Sequence, residues 1–127
     1  MKWVDKMVEM GIGIISIADT VGLATAEQVS SIMKVLIPKY PAIEMGVHLH
    51  STAVNWQQKV EAAAEAGCYR FDGALKGIGG CPMADDELVG NMDTELMIPY
   101  FQKLKRLEGL DMEALQKCSM LASEIFV

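Results

Sequence analysis

The chain has 127 residues, of which 51% are hydrophobic, and a formal net charge of -6 with a pI near 4.8. This length and composition are sufficient for one domain with a hydrophobic core. The acidic balance argues against nucleic acid as a partner, because binding to phosphates requires a surplus of Lys and Arg on one face.

No segment has the features of a membrane span or a secretion signal. The longest apolar stretch, around residues 14–18, is far shorter than the ~20 residues that cross a bilayer. The start of the chain places Asp5 where a signal peptide is basic. Three cysteines without a CxxC spacing fit a reducing compartment. We therefore expect a cytoplasmic protein that does not bind membranes.

Strand and helix patterns alternate along the chain. A helix end is predicted around residues 3–10, with Gly11 as its stop. The β-branched run at 13–18 predicts a strand buried on both faces, and Thr25 is the expected N-cap of a helix over 26–39. The remaining predicted elements are a strand at 44–50, a helix at 55–66 capped by Gly67, a strand at 69–75, and helices at 94–107 and 112–126 entered from Asp93 or Thr94 and from Asp111.

This alternation, at spacings of roughly 25 to 30 residues, is typical of βα units around a parallel sheet. Three strands, or four if a short strand precedes Asn91, are too few for a complete (β/α)₈ barrel, which takes about 250 residues. The sequence therefore predicts an α/β fold in which residues 1–127 form a single half-barrel domain.

The first candidate site is the end of the strand predicted at 44–50. Residues two apart on a strand share a face, so His48 and His50 are expected to converge while Val47 and Leu49 face the helices. Two neutral imidazoles on one face form half of a metal site. The alternative is that both histidines bond to loops at the end of the strand.

The second candidate site is the glycine-rich segment at 77–82, which contains Cys81. Glycines let the backbone adopt positive φ and come close to a ligand, and such a loop can hold a thiol in the mouth of a site. The alternatives are a tight turn and a cysteine that only packs, which is the expectation for Cys68 and Cys118. The glycines concerned are Gly77, Gly79 and Gly80.

Three other polar positions have two interpretations each. Asn91, just before a predicted helix, is either a site residue or a helix N-cap. Asp19, at the end of the first strand, is either a site carboxylate or a loop cap. The acidic run at 85–87 is either a hydrated loop face or a metal ligand. Neither a dinucleotide-binding glycine motif nor a P-loop is present in the sequence.

Four sequence words occur in one order: ISIADTVG at 15–22, VHLHST at 47–52, FDGALKGIGGCPMA at 71–84 and GNMDTE at 90–95. In that order they resemble the hydroxymethylglutaryl-CoA lyases, especially the bacterial ones, within the family of metal-dependent lyase and condensing barrels. The resemblance covers nearly the whole chain. It implies the C-terminal half of a TIM barrel.

The resemblance also implies roles for individual residues. It implies a divalent Mg²⁺ or Mn²⁺ ion with His48, His50 and Asn91 as ligands. It implies catalytic roles for Cys81 on a flexible loop, for His48 in proton transfer, and for Asp19. The implied reaction is retro-Claisen cleavage of hydroxymethylglutaryl-CoA to acetyl-CoA and acetoacetate.

Two departures from the family pattern affect this expectation. Ser51 follows His50 where the family commonly has aspartate, and the motif of the first strand, which supplies an arginine and a metal-binding aspartate, does not occur in the sequence. We therefore expect activity to be incomplete in this chain alone, and to require an N-terminal half or a second copy of the chain. The alternatives are a non-catalytic self-associating half-barrel, a condensing enzyme similar to isopropylmalate or homocitrate synthases, and an unrelated small α/β protein.

Overall fold

The computed structural model describes residues 1–80 and 89–126. In chain order its elements are α1 (Lys2–Glu9), β1 (Ile14–Asp19), α2 (Ala26–Lys39), β2 (Glu44–Leu49), α3 (Trp56–Glu65), β3 (Arg70–Asp72), a 3₁₀ turn (Leu75–Gly77), α4 (Thr94–Lys103) and α5 (Met112–Ile125). Within these described ranges, none of the helices has the length and apolar character needed to cross a membrane.

The three strands form one parallel sheet in the order β1-β2-β3, which confirms the predicted α/β architecture. A short fourth strand before Asn91 is not found in the described part of the chain. Instead His50, Ala74 and Gly80 each make an isolated bridge to the segment 90–93. Residues 81–88 lie outside the described ranges.

The hydrophobic core lies between one face of the sheet and the helices. Alternate strand residues such as Ile15 and Val47 are buried there against α2, whose Met33 is completely inaccessible to solvent. On the opposite face Ile14 is 51% exposed. The prediction that residues 13–18 are buried on both faces is therefore wrong for this structure, because the helices cover only one face.

Local sequence signals account for most helix ends. Thr25 and Gln28 form a capping box at the start of α2, with each side chain accepting the other residue's backbone N–H. Gly11 and Gly67 take positive φ directly after α1 and α3, as predicted, because glycine adopts this conformation without steric cost. The carboxylates that cap α4 and α5 are those of Asp93 and Asp111.

Strand β3 is shorter than predicted, since it ends at Asp72 rather than at residue 75. The next residue, Gly73, lies so close to a neighbouring segment that a Cβ there would be 2.7 Å from the carbonyl oxygen of Met92. The chain then turns through the 3₁₀ segment, in which Lys76 has φ 58. This turn redirects the chain toward the glycine-rich loop.

Helix α4 also ends early, at Lys103 rather than at residue 107. Lys105 adopts φ 54, and its N–H donates to the carbonyl of Gln102, while the N–H of Arg106 donates to that of Phe101. These two bonds form a Schellman motif, which usually has glycine in the position of Lys105. The helix therefore stops at a residue that gives no stop signal in the sequence.

Candidate metal centre

His48 and His50 lie at the carboxyl end of β2 on one face of the sheet. Val47 and Leu49 alternate with them and are buried against the helices, at 2% and 4% exposure. The two imidazole rings meet edge to face with their centroids 5.4 Å apart. The predicted convergence of the two histidines is therefore present in the fold.

The ring of His50 is oriented by a backbone carbonyl. Its Nδ1 lies 3.0 Å from the carbonyl oxygen of Val89. A carbonyl oxygen can only accept a hydrogen bond, so this contact requires a proton on Nδ1, and in a neutral imidazole the lone pair is then on Nε2. Metal-binding histidines are commonly oriented in this way, with one nitrogen donating to the protein and the other facing the metal.

Asn91 is the cross-strand neighbour of His50. The two residues form an antiparallel bridge in which they exchange no hydrogen bonds, and such pairs have their Cα atoms about 4.5 Å apart and their side chains close together. The N-cap of α4 is Asp93, so the N-cap interpretation of Asn91 is wrong. The two flanking backbone bonds, 3.1 and 3.2 Å long, run from Ser51 to Gly90 and from Met92 to Leu49.

The glycine-rich loop holds the side chain of Asn91. Its Nδ2 donates to the carbonyl of Ile78 at 2.8 Å, and its backbone N–H donates to that of Gly79 at 3.0 Å. Gly77 has φ 61, and a Cβ there would lie 2.8 Å from the carbonyl oxygen of Asn91. The amide oxygen Oδ1 accepts no hydrogen bond from the described residues. Direct contact of Gly77, Gly79 or Gly80 with substrate stays a prediction.

Asp19 ends β1 but lies on the helix-facing side of the sheet. In the register between β1 and β2 it pairs with Leu49, whereas Ala18 pairs with His48. Its Oδ2 accepts from Lys59 Nζ at 2.8 Å, in an ion pair whose side chains are only 3% and 7% exposed, and from a loop amide at 3.1 Å. The structure thus brings together His48, His50 and Asn91, here called the candidate ligands, and holds Asp19 apart from them. A catalytic role of Asp19 stays a prediction.

Lys59 is the residue that sequence reasoning missed. It lies in the helix predicted at 55–66, where a lysine is expected to face solvent. In the structure its ammonium is buried, and it donates to Asp19 and to the carbonyl oxygens of Gly22 and His50 at 3.0 and 2.8 Å. A buried carboxylate requires a cation, so Asp19 was the available signal, but nothing in the local sequence identifies its partner.

The face that carries the histidines is polar across all three strands. Ser16 Oγ donates to Asp72 Oδ2 at 2.8 Å, and Arg70 Nε lies 3.4 Å from Asp72 Oδ1, at the distance of an ion pair but without hydrogen-bond geometry. The same guanidinium reaches Glu44 Oε1 at 3.3 Å. These side chains cross over Gly46, where a Cβ would lie 2.8 Å from both Arg70 Cδ and Ser16 Oγ. Gly46 therefore makes this polar arrangement possible.

The two cysteines in the described ranges differ in their surroundings. Cys68 is buried, as predicted, and burial raises the pKa of its thiol, which makes it an unreactive packing residue. Cys118 is exposed on α5, so its prediction as a packing residue is wrong. Cys81, the predicted catalytic thiol, lies outside the described residues.

The candidate ligands present two imidazoles and one amide oxygen, which are all neutral donors. Imidazole nitrogens suit many divalent transition metal ions. Mg²⁺ and Mn²⁺ prefer oxygen ligands, and their sites usually include a carboxylate. Over residues 1–80 and 89–126, no group of three His, Cys, Asp or Glu residues is arranged to hold a metal ion. The donor set therefore fits part of a divalent cation site, which would need an acidic ligand in addition.

A protein-family model described as HMGL-like matches residues 1–122 of the chain. The (R)-citramalyl-CoA lyase of Chloroflexus aurantiacus is 37% identical over 111 residues, which are 87% of this chain and 35% of that protein. The hydroxymethylglutaryl-CoA lyase YngG of Bacillus subtilis is 30% identical, over 87% of this chain and 37% of that protein. The chain thus spans little more than a third of the length of these curated relatives.

Solved structures show the same partial coverage. An HMG-CoA lyase from Acinetobacter baumannii, in complex with coenzyme A and 3-methylmalate, matches 96% of this chain and 40% of its own, with a TM-score of 0.81 and 32% identity. The HMG-CoA lyase of Bacillus subtilis matches 97% of this chain and 41% of its own, with a TM-score of 0.85 and 28% identity. The described residues therefore have the fold of part of a lyase TIM barrel.

Proposed function

The chain belongs to the HMGL-like family, and from that membership we propose that it forms part of a metal-dependent lyase that cleaves a carbon–carbon bond in an acyl-CoA. The observation that carries this proposal is the convergence of His48, His50 and Asn91 at the carboxyl ends of the strands. Barrel enzymes place their active sites at this end. The similarity to two kinds of acyl-CoA lyase supports the reaction class.

In this proposal the candidate ligands hold a divalent cation, Mg²⁺ or Mn²⁺, through imidazole nitrogens and the Asn91 Oδ1 atom. When bound, the cation supplies Lewis acidity toward the hydroxyl and carboxylate oxygens of the substrate. The protein contributes the orientation of its donors. The carbonyl of Val89 keeps the proton of His50 on Nδ1, and the bonds to Ile78 and Gly79 hold the amide of Asn91.

The proposed reaction is a retro-Claisen cleavage. His48 is the proposed acceptor of the proton of the tertiary hydroxyl, in a step in which its free ring nitrogen is not bound to the cation. The adjacent carbon–carbon bond breaks, the hydroxyl carbon becomes a ketone, and the electron pair of the broken bond passes to the thioester as an enolate. A proton then returns to that enolate, for which Cys81 is the proposed donor. The catalytic role of Asp19 stays a prediction, and its carboxylate is paired with Lys59 on the helix side of the sheet.

Hydroxymethylglutaryl-CoA is the first candidate substrate, and its products are acetyl-CoA and acetoacetate. The 37% identity to an (R)-citramalyl-CoA lyase makes (R)-citramalyl-CoA the second candidate. The two substrates are distinguished by supplying both to the same protein preparation and measuring which one it cleaves faster. A condensing activity remains the alternative reaction direction, and it is tested by supplying acetyl-CoA together with a 2-oxo acid.

We also propose that the site is completed by further barrel strands. Strand β1 lies at an edge of the sheet, and beside it is an apolar groove lined by residues of α1 and α2, among them Val4, Ile32 and Val35. An unpaired strand edge next to an apolar groove is a surface that a partner would cover. The remaining strands come either from the rest of a longer enzyme or from a second copy of this chain.

Acetyl-CoA release from both candidate substrates tests the proposal, with Mg²⁺ or Mn²⁺ present and after chelation. For the chain together with the strands that complete the barrel, we expect metal-dependent release that is lost in His50→Ala and reduced at least about tenfold in Cys81→Ala. The matched control is Cys118→Ala, which removes an exposed thiol on α5 and is expected to leave the rate unchanged.

A rate per chain that rises with protein concentration would favour closure of the barrel by a second copy. Acetyl-CoA release that is unchanged after metal removal, or that persists in His50→Ala, would contradict the proposed site. Absence of release at any concentration, beside self-association in light scattering, would favour the non-catalytic half-barrel instead.

A further inference from the structure

We infer that Lys59 is a positioning residue for the proposed metal centre, and that it fixes His50 through two separate connections. The inference rests on the proposed function, in which His50 is a metal ligand. Lys59 itself lies on the helix side of the sheet and does not contact the reacting atoms. Its ammonium donates to three oxygens that belong to three different segments of the chain: Asp19 Oδ2, Gly22 O and His50 O.

The first connection runs through a single peptide plane. The carbonyl of His50 accepts from Lys59 at 2.8 Å, and the N–H of the same peptide unit, which belongs to Ser51, donates to Gly90 at 3.1 Å. Because a peptide unit is planar, holding both its oxygen and its nitrogen fixes its rotation. The Cα–Cβ bond of His50 starts from this plane, and Gly90 precedes Asn91 in the chain. The ammonium therefore supports two candidate ligands.

The second connection runs through the loop between β1 and α2. The ammonium of Lys59 donates a hydrogen bond to the carbonyl oxygen of Gly22 in this loop at 3.0 Å. Gly22 has φ 73, and a Cβ at this position would lie 2.8 Å from a side-chain carbon of Val89. The carbonyl of Val89 is the group that orients the ring of His50. Lys59 thus holds the loop whose close packing places the partner of His50 Nδ1.

The chemistry of the residue explains why a lysine suits this position. An ammonium has three donors, and here three acceptors surround it, with one carboxylate to balance its charge. A buried ammonium without such partners would be strongly disfavoured. The charges of Lys59 and Asp19 therefore balance each other. The ammonium also links β1, the following loop and the end of β2.

The test is Mn²⁺ affinity measured by isothermal titration calorimetry on the whole chain and on two variants. Lys59→Met removes the three donors and keeps most of the side-chain length. Val60→Ala is the matched control, because Val60 is the next residue of α3 and completely buried, yet it makes none of these polar contacts. We expect Lys59→Met to weaken Mn²⁺ binding about 10- to 100-fold, as for other residues that orient metal ligands, and Val60→Ala to leave it within about twofold.

Lys59→Met leaves the buried carboxylate of Asp19 without its cation, which could prevent folding. A double variant avoids this problem. In Lys59→Met combined with Asp19→Asn both charges are removed, while an oxygen that can accept from Ala24 is kept. This variant is expected to fold and to lose Mn²⁺ affinity by the same factor. Affinity equal to that of Val60→Ala in either Lys59 variant would overturn the inference.

A metal-free measurement separates this inference from the proposed function. In nitrogen-15 NMR of the histidine rings at high pH, the unmodified chain and Val60→Ala should show His50 with its proton on Nδ1. The Lys59 variants should show a mixture of tautomers. If the chain takes up no Mn²⁺, the proposed metal chemistry fails, while a tautomer change confined to the Lys59 variants still supports positioning. Unchanged tautomers in those variants would contradict it.

Discussion

The two faces of the sheet differ in chemistry although they alternate along the same strands. On the helix side, residues such as Ile15, Val47 and Leu49 are buried in a continuous apolar core. On the other side, Ser16, Glu44, Arg70 and Asp72 are linked by hydrogen bonds and ion pairs and remain partly open to solvent. One face therefore stabilises this fold, and the other carries the candidate metal centre.

This difference separates the effects of substitutions. Buried apolar side chains contribute in proportion to the area and packing that they lose, whereas partly exposed ion pairs contribute little individually. We therefore expect changes on the helix side to alter the free energy of unfolding. Changes on the polar face should alter it less and should act mainly on ligand binding.

The largest effect on stability is expected for Met33→Ala in α2. Met33 is completely buried, and its removal leaves a cavity against the sheet, so the free energy of unfolding should fall by about 2–5 kcal/mol. Urea unfolding measures this loss. The neighbouring Ile32 is 43% exposed and serves as the control, since Ile32→Ala should cost much less. Equal losses in both variants would show that the core is not where the structure places it.

An intermediate effect is expected for Gly46→Ala on the polar face. The new methyl group would come within 2.8 Å of Arg70 Cδ and Ser16 Oγ, so one of these side chains must move, at a cost of about 1–3 kcal/mol. Gly13→Ala is the matched control, because a Cβ there meets no atom within 4 Å. Urea unfolding should show no loss for Gly13→Ala. A loss in the control as large as that in Gly46→Ala would contradict the close packing over β2.

The smallest effect is expected at the surface, where α1 is attached through Asp5. A hydrogen bond from Tyr40 and another from Lys39 hold the pKa of the Asp5 carboxyl below its ordinary value. A depressed carboxyl pKa contributes stability above the ordinary value of 3.8, and that contribution disappears as the pH falls through the folded-state pKa.

The difference in urea stability between the unmodified chain and Asp5→Ala should therefore be constant near neutral pH and shrink below about pH 4. Glu9→Ala is the control, because Glu9 forms no ion pair in the described part of the chain. A difference that stays constant down to about pH 2 would show that the contacts of Asp5 do not depend on its charge.

Local rules predicted much of the fold and the central part of the candidate site. The period of two along β2 placed His48 and His50 on one face, and that required no knowledge of distant residues. Gly11 and Gly67 marked helix ends because the left-handed conformation favours glycine. These features depend on neighbouring residues, which a sequence displays directly.

The features that were not predicted depend on contacts between distant segments. Lys59 is buried because Asp19, which is 40 residues away, supplies its counter-charge. Lys105 takes a conformation that favours glycine, and the early end of α4 follows from it. Asn91 was left between two interpretations because its pairing with His50 arises only when the chain folds back on β2.

The most direct test of the metal centre is pulsed electron paramagnetic resonance of Mn²⁺ bound to the chain. The chain contains two histidines, so labelling all histidine with nitrogen-15 labels only the two candidate imidazoles. We expect nitrogen couplings from both rings that change with the isotope and disappear in His48→Ala combined with His50→Ala. Bound Mn²⁺ without any histidine nitrogen coupling would contradict the assignment of these residues as metal ligands.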